Sequence, residues 1–390
     1  MAKFAIVTIR IVLFVVALVS ASAASAQTPF YRASPDQIAG APGTLIRQEA
    51  MMSTRSGATA YRVLYRSVGL HGEPIAVSAV IIEPPGSPPL GGRPVVAWAH
   101  PTTGVAPRCA PSLALFVFQQ IQGLREMTEQ GFIVAATDYP GLGTPETHPY
   151  LVGDSEARAV IDSVRVARAL TGASNRFAVW GHSQGGQAAL FTGLIAKTYA
   201  PELDLVGVAA AAPATELRTL LADDINSAGG RNLAAMTLWS WSRVFGAPIN
   251  SVVDPAAIPV VDLLAGECIE SIGDILLRRR TSRPLEQRFL SVPNFYDAEP
   301  WRGLMAANTP GTQPPGIPLL LAQGGADGLV RPQVTQDYMR RQCAAGGSVQ
   351  MVFLKGANHG VIAHDAAPTA VEWMTSRFAG APAPSDCGRN

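Results

Sequence analysis

A serine between glycines is the residue of this sequence that points most directly to chemistry. Ser183 stands at the centre of Gly-His-Ser-Gln-Gly, residues 181–185, after the apolar run 177–180 and before a stretch with helical character, 186–200. A strand, then G-x-S-x-G, then a helix is the arrangement of a nucleophile elbow, where small flanking residues permit a sharp turn. We therefore interpret Ser183 as a nucleophile; the alternative is a glycine-rich turn without chemistry.

A histidine should supply the base, because a serine hydroxyl is a poor nucleophile until a base takes its proton. In the elbow arrangement the partners follow in the order serine, carboxylate, histidine. The two histidines that follow Ser183 are His359 and His364. His359 lies in a loop after the predicted strand 351–354 and is the predicted base. His364 lies near the start of the last predicted helix and is the structural alternative, a solvent-facing or capping group.

The carboxylate that orients the base is expected in the loop after the preceding predicted strand, 319–322. Asp327 is the carboxylate of that loop, and glycines close by on both sides permit a tight turn. It should hold His359 in one tautomer and stabilise the imidazolium; an Asx-turn is the alternative role. Asp138 competes for the position but precedes Ser183, so we predict that it hydrogen-bonds backbone near the elbow instead.

Backbone N–H groups are the predicted oxyanion hole. One donor should be Gln184, the residue after the nucleophile, and the other should lie in the loop after the predicted strand 95–99. Pro101 in that loop has no N–H and cannot donate. The second donor is therefore Thr102 or, failing that, Thr103.

Short apolar segments that alternate with helical segments predict the fold. Segments 61–68 and 75–82 flank a turn that contains glycine and proline, and they predict an antiparallel hairpin. Further strands are predicted at 95–99, 132–136, 177–180, 205–211, 319–322 and 351–354, with helices at 113–131 and 155–170. This alternation predicts an α/β fold with a mostly parallel sheet that helices cover on both faces.

One interval breaks the alternation. Residues 215–315 lie between two predicted strands, which is too long for an ordinary connection, and they contain apolar helical stretches. We predict that this interval is a helical cap, or lid, inserted into a core formed by residues 27–214 and 316–390. Most of its aromatic side chains are expected to form the cap's own core.

Residues 1–26 have the features of a signal peptide. Lys3 and Arg10 provide a positive region, residues 11–19 are consecutively apolar, and small residues form a cleavage site after Ala26. A membrane anchor is the alternative, but the apolar run is short for a span. We therefore expect an exported protein, either secreted or periplasmic.

Composition and cysteine content exclude other classes. The 390 residues are 48% hydrophobic and carry a net charge of +1, and no basic patch interleaved with aromatics indicates nucleic-acid binding. The four cysteines, Cys109, Cys268, Cys343 and Cys387, predict two disulfides in an exported protein, in any of three pairings. No pair has zinc-ligand spacing, so no metal site is expected.

Taken together, these features resemble the secretory lipase family of the α/β-hydrolases, the lipase A type. The matching pieces are segments 109–112, 138–141 and 181–186, the long insertion, Asp327 and His359. The resemblance implies an α/β-hydrolase fold with a helical cap over an acyl pocket. It also implies that Cys109 pairs with Cys268, with Cys343 and Cys387 as the remaining pair.

An exported lipase or esterase is the function that the resemblance implies. Such an enzyme would cleave carboxylic esters through an acyl-enzyme on Ser183, without a cofactor. We expect a small-molecule ester or lipid as substrate, transient contact with a lipid interface, and a monomeric protein. An acyltransferase or amidase with the same triad is the alternative. The resemblance disfavours a peptidase, and the complete triad disfavours a non-catalytic binding protein of this fold.

Overall fold

Residues 29–52 and 57–388 are described by the computed structural model. The predicted signal peptide and its cleavage site after Ala26 lie outside these residues. Within the described ranges, no helix combines the length and the apolar character that crossing a membrane requires.

One nine-stranded sheet forms the centre of the described part of the chain. Its strands are Leu45–Ala50 (β1), Thr59–Val68 (β2), Pro74–Glu83 (β3), Val95–Ala99 (β4), Ile133–Thr137 (β5), Arg176–His182 (β6), Asp204–Ala211 (β7), Leu319–Gly324 (β8) and Val349–Leu354 (β9). Their order across the sheet is β1-β2-β3-β5-β4-β6-β7-β8-β9. The first three neighbouring pairs in this order, β1 with β2, β2 with β3 and β3 with β5, are antiparallel. The remaining five pairs, from β5 with β4 to β8 with β9, are parallel. The predicted hairpin and mostly parallel sheet are confirmed.

Helices cover both faces of this sheet. In chain order they are Pro35–Ile38 (α1), Val117–Gln120 (α2), Leu124–Glu129 (α3), Gly153–Thr171 (α4), Gln184–Tyr199 (α5), Leu217–Asp224 (α6), Ala228–Val244 (α7), Ile258–Ala265 (α8), Ile272–Thr281 (α9), Trp301–Ala307 (α10), Pro332–Ala344 (α11) and Ile362–Phe378 (α12). Helices α4 and α5 pack on one face, and α12 packs on the other.

Strand β4 shows why the sequence builds two apolar layers. Val95, Ala97 and Ala99 belong to the core on the side of α4 and α5, whereas Val96 and Trp98 belong to the core on the side of α12. Successive side chains of a strand point to opposite faces, so a strand buried on both faces must be apolar throughout. The continuous apolar run of β4 therefore places it at the centre of the sheet.

Two local features differ from the sequence prediction. The predicted helix 113–131 is broken into α2 and α3 around Gly123, which has a φ of 80°. A Cβ on Gly123 would stand 3.1 Å from the Cβ of Ala367 on α12, so the chain turns tightly against that helix. Strand β1 was not predicted, because it is an edge strand of half-buried and exposed residues without an apolar pattern.

Helices α6 to α10 lie between β7 and β8, in the interval predicted to be a cap. Helix α7 is tied to the loop before α4. Ser240 Oγ donates to the carbonyl of His148 at 2.6 Å, and Trp241 Nε1 donates to the carbonyl of Tyr150 at 2.8 Å. The division into a cap, 215–315, and a core stays a prediction.

Two disulfides join distant parts of the described chain. Cys109 is bonded to Cys268, which lies between α8 and α9, and Cys343 of α11 is bonded to Cys387. These are the pairs that the resemblance implies. The first disulfide holds the segment between α8 and α9 beside the loop that carries Thr102.

Candidate active site

The turn at Ser183 has the conformation and the crowding of an elbow. Ser183 lies between β6 and α5 with a φ of 57° and a ψ of −117°, outside the regions that residues with side chains normally adopt. A Cβ on Gly181 would stand 2.0 Å from the carbonyl oxygen of Gly185, and one on Gly185 would stand 1.9 Å from that of Ala99. Both flanking positions must therefore be glycine, and the strained turn holds Ser183 at the carboxyl end of β6.

Ser183, His359 and Asp327 form one hydrogen-bonded chain. His359 Nε2 lies 2.9 Å from Ser183 Oγ, and His359 Nδ1 lies 2.8 Å from Asp327 Oδ2. Because a carboxylate only accepts, Nδ1 carries the proton and donates to Asp327, which leaves Nε2 to accept from the serine hydroxyl. In this geometry an imidazole can act as the base for a serine nucleophile.

The Asp327 carboxylate is held by its own loop as well as by His359. Its Oδ1 atom accepts hydrogen bonds from the N–H groups of Leu329 and Val330, at 2.9 and 2.8 Å, and the residue is buried. The Asx-turn considered as an alternative role therefore coexists with the contact to His359, because each role uses a different oxygen. The turn orients Oδ2 toward the imidazole.

Two other histidines, His364 and His182, do not contact the Ser183 hydroxyl. His364, the alternative base, lies on α12 with 75% of its side chain exposed and contacts Asp365. His182 Nε2 donates to the backbone carbonyl of His359 at 2.9 Å. Burial, followed by the nearby charge of His359, lowers the pKa of His182 to about 3, so this imidazole is neutral at ordinary pH. His182 therefore supports the loop of the base.

Asp138 hydrogen-bonds a backbone N–H as predicted, and that N–H belongs to Ser112. Its carboxylate accepts hydrogen bonds from the backbone N–H of Ser112 at 2.8 Å and from the hydroxyls of Ser112 and Ser78. The turn at Ser112 follows Cys109 and is not part of the elbow. The reason is the strand order, since β4 separates β5, which Asp138 follows, from β6. Burial raises the pKa of Asp138.

The N–H groups of Gln184 and Thr102 are available to an oxyanion. Neither donates a hydrogen bond to any residue in 29–52 or 57–388, and both residues border the space at Ser183. Thr103 borders neither of the two cavities that reach Ser183, and its carbonyl accepts a hydrogen bond from the N–H of Ile269, which lies between α8 and α9. Of the two candidates in this loop, Thr102 is therefore the one in position.

Beneath Gln184 lies a buried polar network that the sequence analysis did not identify. Gln184 Nε2 donates to Glu156 Oε1 at 2.7 Å and to His148 Nε2 at 3.1 Å, and the N–H of Leu151 donates to the same Glu156 oxygen. His148 Nδ1 donates to the carbonyl of Pro140 at 2.8 Å, which leaves Nε2 as the acceptor. This network fixes the first residue of α5, whose N–H faces the site.

Glu156 should make the stability of the fold depend on pH. Burial raises its pKa from 4.5 to about 8. Between these values unfolding releases a proton, so stability falls as pH rises. Glu156→Gln removes the titration but keeps an acceptor for Gln184. From about pH 5 to about pH 9 we expect the variant to gain unfolding free energy relative to wild type, on the order of a few kcal/mol. Thermal melts measure this difference, and a difference that is constant with pH would contradict the assignment.

Two cavities meet at Ser183. The narrower has a volume of about 40 Å³ and is lined by Thr102, Gln184 and mainly aliphatic side chains, but not by His359. The wider has a volume of about 420 Å³ and is lined by His359, by His182 and by residues of α7 and α9. The serine hydroxyl therefore lies between a small apolar chamber and a wide cleft.

Known proteins share the sequence features of this chain over most of its length. A sequence model of the secretory lipase family matches residues 115–386. Lipase A of Arthroderma benhamiae is 23% identical over 400 residues, which cover 93% of this chain and 81% of that protein. A protein of Mycobacterium tuberculosis described as a probable inactive lipase is 25% identical over 388 residues, covering 91% of this chain and 82% of that protein.

A solved structure shares the fold. The crystal structure of lipase A from Candida antarctica superimposes with a TM-score of 0.78 at 18% identity, covering 92% of this chain and 87% of that protein. At this level of identity the similarity establishes the fold alone. The predicted α/β-hydrolase fold is thereby confirmed.

Proposed function

The chain belongs to the secretory lipase family, and on that premise we propose that it is an exported carboxylic ester hydrolase with Ser183 as its nucleophile. The observation that carries this proposal is the hydrogen-bonded chain from Ser183 through His359 to Asp327, at the meeting point of two cavities. Export is supported by the signal-peptide features of residues 1–26 and by two disulfides, which persist in oxidising compartments.

The geometry supports a two-step acyl transfer. Ser183 Oγ attacks the ester carbonyl carbon while His359 Nε2 takes the hydroxyl proton, and Asp327 stabilises the resulting imidazolium. The N–H groups of Gln184 and Thr102 stabilise the negative charge on the tetrahedral oxygen. His359 then protonates the departing alcohol. In the second step His359 deprotonates a water molecule, which attacks the acyl-enzyme, releases the acid and restores the serine.

The two cavities divide the substrate at Ser183. The departing alcohol takes its proton from His359, so it must leave through the wider cavity, which His359 borders. The acyl group stays on the serine beside Gln184, which borders the narrower cavity and not the wider one, whereas Thr102 borders both. We therefore assign the narrow cavity to the acyl group and the wide cleft to the alcohol.

An acyltransferase or an amidase would use the same triad, because only the acceptor or the leaving group differs. The lipase names of the relatives favour ester hydrolysis. One relative is described as probably inactive, but that description concerns the Mycobacterium tuberculosis protein. In this chain the base contacts both the nucleophile and the carboxylate, which supports an active site.

A series of p-nitrophenyl esters with increasing acyl length tests the proposed function. We expect the protein to release p-nitrophenol and the free acid from short-chain esters. Adding an alcohol or an amine as acceptor, with analysis of the products, separates the alternatives: dominant transfer to the acceptor would indicate an acyltransferase. Faster cleavage of matched anilides than of esters would indicate an amidase. No turnover of any ester by folded protein would overturn the proposal.

Helix α9 is our proposed contact with a lipid interface. Its Ile272 and Leu276 side chains are 79% and 61% exposed, and Arg279 and Arg280 follow in its last turn. Exposed apolar side chains beside cations match aliphatic chains beneath anionic head groups. Helix α9 also borders the wide cavity through Ile275. Contact at this helix would therefore bring an ester close to Ser183.

Replacing Ile272 and Leu276 together with glutamate should lower turnover of emulsified tributyrin by roughly tenfold or more, because apolar contact with the droplet is lost. Turnover of dissolved p-nitrophenyl butyrate should stay close to that of wild type. The matched control is Leu90→Glu, because Leu90 is fully exposed in the loop before β4, at the opposite end of the parallel strands from Ser183. Equal losses on both substrates, or the same loss in the control, would contradict this role of α9.

A further inference from the structure

A single carboxyl group interrupts the apolar wall of the narrow cavity. Much of that wall is formed by aliphatic side chains, Leu217, Leu220, Leu221, Leu233, Leu329 and Val330. Asp224, the last residue of α6, borders the same cavity and is only 8% exposed. The acyl-transfer steps assign no role to this carboxyl, although it shares a chamber with the nucleophile.

The Asp224 carboxyl has no partner among residues 29–52 and 57–388. No side chain or backbone N–H in these ranges donates to it, whereas its neighbour Asp223 pairs with Arg331. The backbone carbonyl of Asp224, unlike its side chain, accepts a hydrogen bond, from the N–H of Ser227 at 2.7 Å. Buried polar groups are nearly always hydrogen-bonded. The Asp224 oxygens are not among the fully enclosed unpaired polar atoms of the described residues, so they are accessible from the cavity, and a hydrogen-bond donor that occupies the cavity can pair with them.

The charge of Asp224 defines the kind of group that can bind it. Burial, and then the nearby Asp327 carboxylate, raises the pKa of Asp224 to about 6, while the charge of His359 acts in the opposite direction. At about pH 8 the side chain is an anion, which accepts hydrogen bonds but donates none. Its partner in the cavity must therefore be a donor, such as a hydroxyl.

The volume of the cavity limits the length of the acyl group. Its volume of about 40 Å³ is roughly a tenth of the 420 Å³ of the wider cavity, so we expect it to favour short acyl chains over long ones such as octanoyl. The wider cavity, with about 420 Å³, leaves room for a much larger alcohol.

We propose that the narrow cavity selects short acyl groups that carry a hydroxyl, and that Asp224 determines this preference by accepting a hydrogen bond from the hydroxyl. The inference rests on the proposed function, because Ser183 must carry the acyl group. A plain acyl chain would leave the Asp224 carboxylate desolvated and unpaired, which is costly. A hydroxyacyl chain replaces the lost water with a charge-assisted hydrogen bond. Both effects favour the hydroxyacyl ester.

Methyl esters that differ only in the acyl substituent test this preference. We would measure kcat/KM at about pH 8 for methyl butyrate, its 2-hydroxy and 3-hydroxy derivatives, and methyl 3-methoxybutyrate, which accepts but cannot donate. The wild-type protein should favour at least one hydroxy ester over butyrate by roughly tenfold or more. The methoxy ester should show no preference over butyrate, and methyl octanoate should be a poorer substrate than butyrate.

Variants at Asp224 supply the decisive comparison, because a 2-hydroxyl also changes the chemical reactivity of an ester. Asp224→Leu should lower the ratio of hydroxybutyrate to butyrate activity by roughly tenfold or more. Asp224→Asn, which retains an amide oxygen as acceptor, should lower it by less. Asp223→Asn is the matched control and should keep the wild-type ratio, because Asp223 pairs with Arg331.

The outcomes separate this inference from the proposed function. Hydrolysis of butyrate without a hydroxyl preference, or a ratio unchanged in both Asp224 variants, would overturn the role of Asp224 and leave the ester hydrolase standing. Failure of the folded wild-type protein to hydrolyse any of these esters would overturn the proposed function and this inference with it.

Discussion

Replacing Ser183 with alanine is expected to lower kcat/KM for p-nitrophenyl butyrate by about 10⁴-fold or more. The change removes Oγ, the atom that lies 2.9 Å from His359 Nε2, so no acyl-enzyme can form. Alanine has the same Cβ as serine and must adopt the same backbone, with a φ of 57°. The thermal unfolding midpoint should therefore stay close to that of wild type, and the loss should be confined to catalysis.

The matched control for this variant is Ser174→Ala. Ser174 lies in the loop before β6, at the opposite end of that strand from Ser183. Among the residues that the structure describes, its Oγ accepts only a long hydrogen bond, from the N–H of Arg176 at 3.3 Å. Initial rates for this variant should match those of wild type. Near-normal activity in Ser183→Ala would remove the nucleophile from the mechanism.

Replacing His359 with alanine should lower turnover by about 10³-fold or more, because the serine then lacks a base and the departing alcohol lacks a proton donor. The chain offers a matched control in His364→Ala. His364 is exposed on α12 and its imidazole contacts Asp365, so its loss should leave initial rates near those of wild type. Circular dichroism of both variants would separate catalytic from folding effects. The reverse pattern of activities would assign the base to His364.

The central strands of the parallel part of the sheet, such as β4, β5 and β8, were predictable because they are buried on both faces, whereas the edge strand β9 is only partly buried. The predicted strand 95–99 coincides with β4, and the predicted strand 205–211 falls within β7. The break between α2 and α3 was not predictable from local spacing, because it depends on the approach of Gly123 to Ala367 on a distant helix. Strand β1 was not predictable either, because it lies at the edge of the sheet and its residues are half-buried or exposed, so it has no apolar pattern.

Chain order and topology made the three triad residues predictable. Ser183, Asp327 and His359 follow β6, β8 and β9, and parallel strands place their carboxyl ends at one edge of the sheet. The hydrogen bonds that hold Gln184 beside the elbow could not be predicted in this way. Glu156 and His148 come into contact with Gln184 only in the folded chain.

A weak signal for Glu156 exists in the sequence. It lies four residues before Val160, on the inward face of α4, where a carboxylate among apolar residues needs a partner. The sequence of that helix does not indicate that the partner is Gln184. The choice between Thr102 and Thr103 also depended on the fold, because the hydrogen bond from Ile269 to Thr103 joins residues that lie far apart in the sequence.

Labelling with a fluorophosphonate, followed by peptide mass spectrometry, tests the activated serine most directly. A serine hydroxyl reacts with this reagent only when a base and an oxyanion site activate it. We expect a single adduct, on Ser183, that is lost in His359→Ala and kept in His364→Ala. An unlabelled Ser183 in folded wild-type protein, or labelling that persists without His359, would contradict the proposed site.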